Sequence, residues 1–135
     1  MTLTTSEILD RHLGAFGMLD IEGVLADYSA DAVFFTPVGP LKGPDAIRPF
    51  FRELVTEFAK PGAYFTMLQR SIEGEHAYII WMAETADHSY EFATDTLLVQ
   101  NGKIVAQSFA AKITPKGETV SPEYASATPP WVGCW

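Results

Sequence analysis

Two ionisable side chains stand where the surrounding pattern asks for apolar ones. His12 lies four residues from both Ile8 and Phe16, so in a helix it shares their apolar face. Histidine titrates near neutrality, and its surroundings can tune it as a general base or proton donor. The ordinary alternative is a core histidine satisfied by a neighbour. Asp95 interrupts an apolar strand that continues as Leu97-Leu98-Val99. Strand alternation gives it a face with Ala93 and Leu97. A buried, unpaired carboxylate there is costly and has its pKa raised. The alternatives are a strand-edge position in water, or an ion pair with Arg70 or Lys112. If both side chains reach one cavity, they form an acid–base pair.

Other chemistry-bearing residues are less suggestive. His76 and His88 fall in expected turns and read as solvated. The three histidines contain no pair at helical spacing, so no metal site is expected. Cys134 is the single cysteine, which excludes a disulfide framework, and no nearby His or Asp pattern marks it as a nucleophile. Gly39, Gly43 and Gly62 lack phosphate-loop spacing, and no cofactor motif is present. Tyr28 reads as a core residue with its hydroxyl at a rim.

The elements that must position these groups fall into two halves. Thr4 and Glu7 have capping-box spacing, and Ile8, Leu9, Leu13 and Phe16 follow at helical period. Asp20 is the expected cap of a short second helix reaching about Tyr28, with Ser29-Ala30-Asp31 as a turn. A strand, Ala32 to Thr36, stops at Pro37, and Val38 to Lys42 reads as loop. A third helix opens at Pro44 and is expected to kink at Pro49. From Ala63 the period becomes two, giving strands near 63–73, 76–86, 89–99 and 103–114. Asn101-Gly102 is the clearest hairpin signal, because both residues tolerate positive φ.

Composition bounds the partners. The 135 residues are 47% hydrophobic and 13% aromatic, enough for a true core. A net charge of −8 opposes binding to nucleic acid or anionic membranes. No membrane-length apolar run or secretory signal is visible, and a cytoplasmic location is expected. Residues 1–115 read as one domain. Residues 116–135, with Pro122, Pro129, Pro130, Trp131 and Trp135, read as a tail packed on the body or on a partner subunit.

Two stretches carry a family resemblance. Leu19 to Phe34 reads Leu-Asp-Ile-Glu-Gly-Val-Leu-Ala-Asp-Tyr-Ser-Ala-Asp-Ala-Val-Phe, followed by Gly43-Pro44-Asp45-Ala46-Ile47-Arg48-Pro49-Phe50-Phe51. The second is Asp95-Thr96-Leu97-Leu98-Val99-Gln100-Asn101-Gly102-Lys103-Ile104-Val105. With the element order they resemble the nuclear transport factor 2-like superfamily, in its SnoaL-like and ketosteroid-isomerase-like branch. The resemblance implies an α+β cone: three N-terminal helices packed on a strongly curved mixed or antiparallel sheet that encloses an apolar pocket.

The resemblance also implies roles, residue by residue. The aspartate base of a ketosteroid isomerase precedes a Pro-Val-Gly turn, and Thr36 stands there in Thr36-Pro37-Val38-Gly39. A hydroxyl does not take a carbon-bound proton unaided, so steroid isomerisation by that mechanism is not expected. Thr36 is left to position substrate or water. The family's oxyanion tyrosine falls on His12, and its protonated aspartic acid on Asp95. Phe16, Tyr28, Phe35, Phe51, Met67, Trp81 and Leu97 are the expected substrate-contacting residues. Tyr78, Ile80 and Met82 alternate with Ile79, Trp81 and Ala83, so both sheet faces are apolar; this and the resemblance imply a homodimer through the sheet. The expected function is proton transfer on an apolar carbonyl or ring compound, without a cofactor. The competing readings are a non-catalytic binder of a hydrophobic small molecule and a protein-interaction module.

Overall fold

The computed structural model describes residues 2–116. The expected packing of the Trp-bearing tail falls mostly on residues 117–135, which lie outside that range.

The capping box forms as the spacing asks. Thr4 accepts from the Glu7 amide and Glu7 from the Thr4 amide, opening α1 (Thr5–Gly17). Asp20 accepts from the Gly23 amide and caps α2 (Ile21–Leu25). This helix ends three residues before the expected Tyr28. Tyr28 instead begins β1 (Tyr28–Thr36), and Ser29-Ala30-Asp31 is strand rather than turn. The register irregularity between Tyr28 and Val33 absorbs the polar stretch that imitated a turn. Val38–Lys42, expected as loop, contributes β2 (Gly39–Lys42), hairpinned onto β1. Pro40 is tolerated there because β2 is an edge strand.

The third helix, α3 (Pro44–Phe58), runs through Pro49 as one element. Then come β3 (Tyr64–Glu73), β4 (His76–Glu84), β5 (His88–Gln100) and β6 (Lys103–Pro115), close to the spans that the period of two implies. Asn101 and Gly102 both adopt positive φ in the β5–β6 turn.

The six strands form one open, mixed sheet in the order β2-β1-β6-β5-β4-β3. Only the β1–β6 pair is parallel. Register breaks fall at Met67/Gln69 in β3, Trp81/Ala83 in β4 and Tyr90/Phe92 in β5. Because Met67 pairs with Trp81 and Ala83 with Tyr90, these breaks lie side by side across β3, β4 and β5, with the extra residues on β3 and β5. Ile8 and Leu9 of α1 and Ile47, Phe50, Phe51 and Leu54 of α3 fill the inner side. Among the described residues, no helix is long and apolar enough to cross a membrane.

The α1 start is exposed, so its cap can be tested in isolation. Thr4→Ala is expected to cost about 1 kcal/mol in urea unfolding, with no change in the denaturant slope.

Candidate active site

The sheet register builds the polar floor of the cavity. Trp81 pairs with Ala93, and Leu97 with Gln107, so Trp81 and Gln107 flank Asp95 diagonally on the inner face. Trp81 Nε1 donates to Asp95 Oδ1 at 2.7 Å, and Gln107 Nε2 donates to Oδ2 at 2.9 Å. Burial pushes the Asp95 carboxyl above its ordinary 3.8; these two donors and the nearby His12 oppose the shift without cancelling it. Asp95 pairs with neither Arg70 nor Lys112. Arg70 binds Asp10 and Ser6, and Lys112 lies near Glu91.

His12 enters from the helical side. Its Nδ1 lies 3.2 Å from Asp27 Oδ2, and Arg11 Nε donates to Asp27 Oδ1 at 2.7 Å. Asp27 has no exposed surface. Burial alone would raise its pKa, but the hydrogen bonds and charges of His12 and Arg11 outweigh that and hold it below the ordinary value. The carboxylate fixes the Nδ1–H of the ring, which turns Nε2 away from it. There Nε2 meets the Tyr28 hydroxyl at 3.3 Å, and Tyr28 donates to Gln107 Oε1 at 2.6 Å. Burial and the neighbouring Asp95 and Asp27 charges drive the Tyr28 pKa well up, so it stays a phenol.

His12, Asp95, Phe16, Phe51, Trp81 and Leu97 all line one chamber, together with Phe34, Phe50, Phe109 and Gln107. The chamber is small, about 60 Å³. It shares Leu13, Phe16, Phe58 and Phe65 with an outer vestibule of about 240 Å³, which Leu19 and Tyr64 also line. Tyr28 is buried behind the lining rather than at a rim, in contact with it through stacking on Phe34 and edge contact with His12.

Three expected positions lie elsewhere. Phe35 alternates to the other face of β1 and is 51% exposed; Phe34 takes the inward place. Met67 packs against the core, but outside the chamber lining. Thr36 is held in the β1–β2 turn, where its hydroxyl donates to Gly39 O at 2.8 Å and accepts from Val38 N; it too is outside the lining.

A second buried polar cluster corrects the reading of His88 as solvated. His88 is 4% exposed, because Glu57 reaches it from α3. Glu57 Oε2 lies 3.0 Å from His88 Nδ1 and accepts from Thr85, while Oε1 accepts from Tyr90. These partners satisfy a carboxylate that tertiary packing forces inward, and they tie the β4–β5 turn to α3. His76, by contrast, is exposed as expected. No group of His, Cys, Asp and Glu suited to a metal ion occurs among the described residues.

Sequence reasoning missed Asp27, Gln107 and Glu57. Gln107 shares the inner face of β6 with Phe109 and Ala111, and Glu57 lies one turn beyond Leu54 on the apolar face of α3, so both carried a periodic signal. Asp27 follows the α2 C-cap, where no period operates.

Comparison with known proteins places this geometry in context. The profile of the SnoaL-like domain matches residues 9–107. No curated protein sequence matches the chain. Among solved structures, an NTF2-like protein of unknown function from Mesorhizobium loti is 24% identical, with a TM-score of 0.68 over 80% of this chain and 90% of that one. A candidate ketosteroid isomerase from Kribbella flavida is 17% identical, with a TM-score of 0.66 over 90% and 87%. SalBIII, an epoxide hydrolase/cyclase-like enzyme of pyran ring formation in the polyether salinomycin, is 18% identical, with a TM-score of 0.69 over 83% and 95%. These likenesses show the fold.

The two buried aspartates should respond oppositely to pH. The Asp27 contribution is full above its unfolded pKa, about 4, and is lost as pH falls through its lower folded value. Asp95 has the opposite sign: its burden on folding is absent below about pH 4 and grows as pH rises through its raised folded value. Urea unfolding across pH 3 to 8 checks both. Asp27→Asn is expected to lose about 1.5–3 kcal/mol at pH 7 and to flatten the acid limb. Asp95→Asn is expected to flatten the decline above pH 4.

Proposed function

The chain belongs to the SnoaL-like family, and from that premise we propose that it is a small-molecule enzyme that moves a proton on an apolar ring compound bearing a carbonyl. His12 is the base. Its Nε2 takes a proton from the carbon beside the carbonyl, and Asp27 stabilises the imidazolium that forms. Asp95 is the acid. Burial favours its protonated form, which hydrogen-bonds to the carbonyl oxygen as negative charge develops there. The observation that carries this reading is that His12 and Asp95 both line an otherwise largely aromatic chamber. Flat lining rings suit a flat substrate, and the chamber volume suits its reacting end with the body of the ring in the vestibule. Thr36 has no part in this scheme, because its hydroxyl is committed to the β1–β2 turn.

A second reading has its own support. Trp81, Gln107, Tyr28 and His12 already satisfy the polar atoms of the site among themselves. A pocket that binds a hydrophobic molecule without reacting would have the same economy of open valences.

We also propose that the outer sheet face is covered by a second copy of the chain. Phe92 and Tyr78 are exposed there beside the half-buried Ile80 and Met82. Light scattering is expected to give a dimer for the native chain and a monomer for Phe92→Glu; a native monomer contradicts it.

The catalytic reading is tested by hydrogen–deuterium exchange at the α-carbon of ring ketones such as 2-tetralone. The native chain is expected to accelerate exchange, and His12→Ala to lower the rate by about 10²–10⁴-fold. Saturable binding of the ketone with no exchange above buffer would favour the non-catalytic reading.

A further inference from the structure

We propose that Tyr28 and Gln107 join His12 and Asp95 into one hydrogen-bond chain of reversible polarity, so that the two ends exchange protonation states in step. The inference rests on the reading of His12 and Asp95 as base and acid, and it assigns Tyr28 and Gln107 as positioning residues for that pair.

The number of hydrogens at each link sets the direction of the next. Tyr28 has one hydroxyl hydrogen, and it goes to Gln107 Oε1 at 2.6 Å. Gln107 presents its amide nitrogen to Asp95 Oδ2 at 2.9 Å, and Trp81 Nε1 donates to the other carboxyl oxygen, Oδ1. With its hydrogen spent, the Tyr28 oxygen can only accept from His12 Nε2, 3.3 Å away. This polarity suits a protonated His12 ring and an ionised Asp95. A half-turn of the Gln107 amide reverses every link. Asp95, now an acid, donates to Gln107 Oε1; the amide nitrogen donates to Tyr28; Tyr28 donates to a neutral His12 Nε2. Asp27 accepts from Nδ1–H in both forms.

Both forms hold the same number of protons. The mixed forms are disfavoured in an empty chamber. Neutral His12 with ionised Asp95 sets two lone pairs face to face between His12 and Tyr28. Protonated His12 with protonated Asp95 leaves an acid hydrogen without an acceptor. Among the described residues, the other charges beside the chain are those of Arg11 and Asp27, and the Asp27 charge acts on Tyr28 as well as on His12. Arg11 and Asp27 lie behind His12, from α1 and the α2–β1 segment, and the chamber lining around the chain is aromatic and aliphatic.

The reaction uses both polarities. Binding of the ketone turns the Asp95 acid hydrogen from Gln107 Oε1 to the carbonyl oxygen. With the half-turn of the Gln107 amide, Tyr28 turns its hydrogen from His12 Nε2 back to Gln107 Oε1. The freed Nε2 lone pair then takes the carbon-bound proton, the C–H electron pair becomes the enol double bond, and the carbonyl oxygen receives the Asp95 proton. The site then stands in the polarity seen in the structure. Return of the proton from His12 to carbon and from the enol oxygen to Asp95 restores the other polarity, with no net change in the protein. Tyr28 and Gln107 thus match the enol stage and the ketone stage by reorienting rather than by taking up charge.

Carboxyl ¹³C NMR of Asp95 in the full chain tests the coupling without substrate. His12→Asn keeps an N–H for Asp27 but removes Nε2. In the native background it is expected to raise the Asp95 titration midpoint by about one pH unit, a tenfold change in proton affinity. In a Gln107→Met background the same substitution is expected to move it by less than half as much. Tyr28→Phe breaks the chain at another link and should do likewise, so the test survives if one background fails to fold. Equal shifts in all backgrounds, or no shift in any, would overturn the proposal. The ketone assay and this titration can fail independently, so loss of one reading is distinguishable from loss of the other.

Discussion

A carboxylate with no exposed surface must find partners inside the protein, and Asp27 finds them on α1. Arg11 and His12 are consecutive residues, yet both reach it, one to each carboxylate oxygen. This pairing does more than offset the burial of a charge. It fixes the roll of α1 over the sheet, and it sets which edge of the His12 ring faces the chamber. The Asp27 carbonyl also accepts from the Ile104 amide, so the same residue stitches the helical half to β6. Everything that the polar floor does depends on the ring being held there.

The rest of the chamber is a matter of aromatic packing. Phe50 contacts Phe34, Phe51 and Phe109, and Phe34 contacts Phe51, at ring separations between 4.9 and 5.8 Å, and Trp81 stacks between Tyr90 and Phe109. Such a wall excludes water and lowers the local dielectric. That raises the cost of ionising Asp95 and strengthens any hydrogen bond it makes to a guest. Tyr90 belongs to two structures at once: its ring backs Trp81, while its hydroxyl serves Glu57. The Glu57–His88–Thr85 cluster ties the β4–β5 turn to α3, and His88 Nε2 remains without a hydrogen-bond partner among the described residues.

Much of this was legible in the sequence because burial imposes a period. His12 was readable from Ile8 and Phe16, and Asp95 from Ala93 and Leu97; both positions line the chamber. The long strands and the Asn101-Gly102 turn were readable for the same reason. The β1 region was not: the polar Ser29-Ala30-Asp31 run imitates a turn, and only its pairing across the sheet makes it strand. His88 looked solvated because its partner, Glu57, is 31 residues away. Phe34 and Phe35 are adjacent and chemically alike, so which one faces inward depends on a register that the β1 irregularity resets. Asp27 carried no periodic signal, although the site turns on it.

The most direct measurement is a crystal structure with a flat phenol bound, since a phenol imitates the enol oxygen on an aromatic ring. With 2-naphthol, the account predicts the oxygen within hydrogen-bond distance of the Asp95 carboxyl, the ring edge toward His12 Nε2, and the second ring in the vestibule. Naphthol bound only in the vestibule or on the outer sheet face, its oxygen in water and the Trp81–Asp95–Gln107 contacts undisturbed, would contradict it.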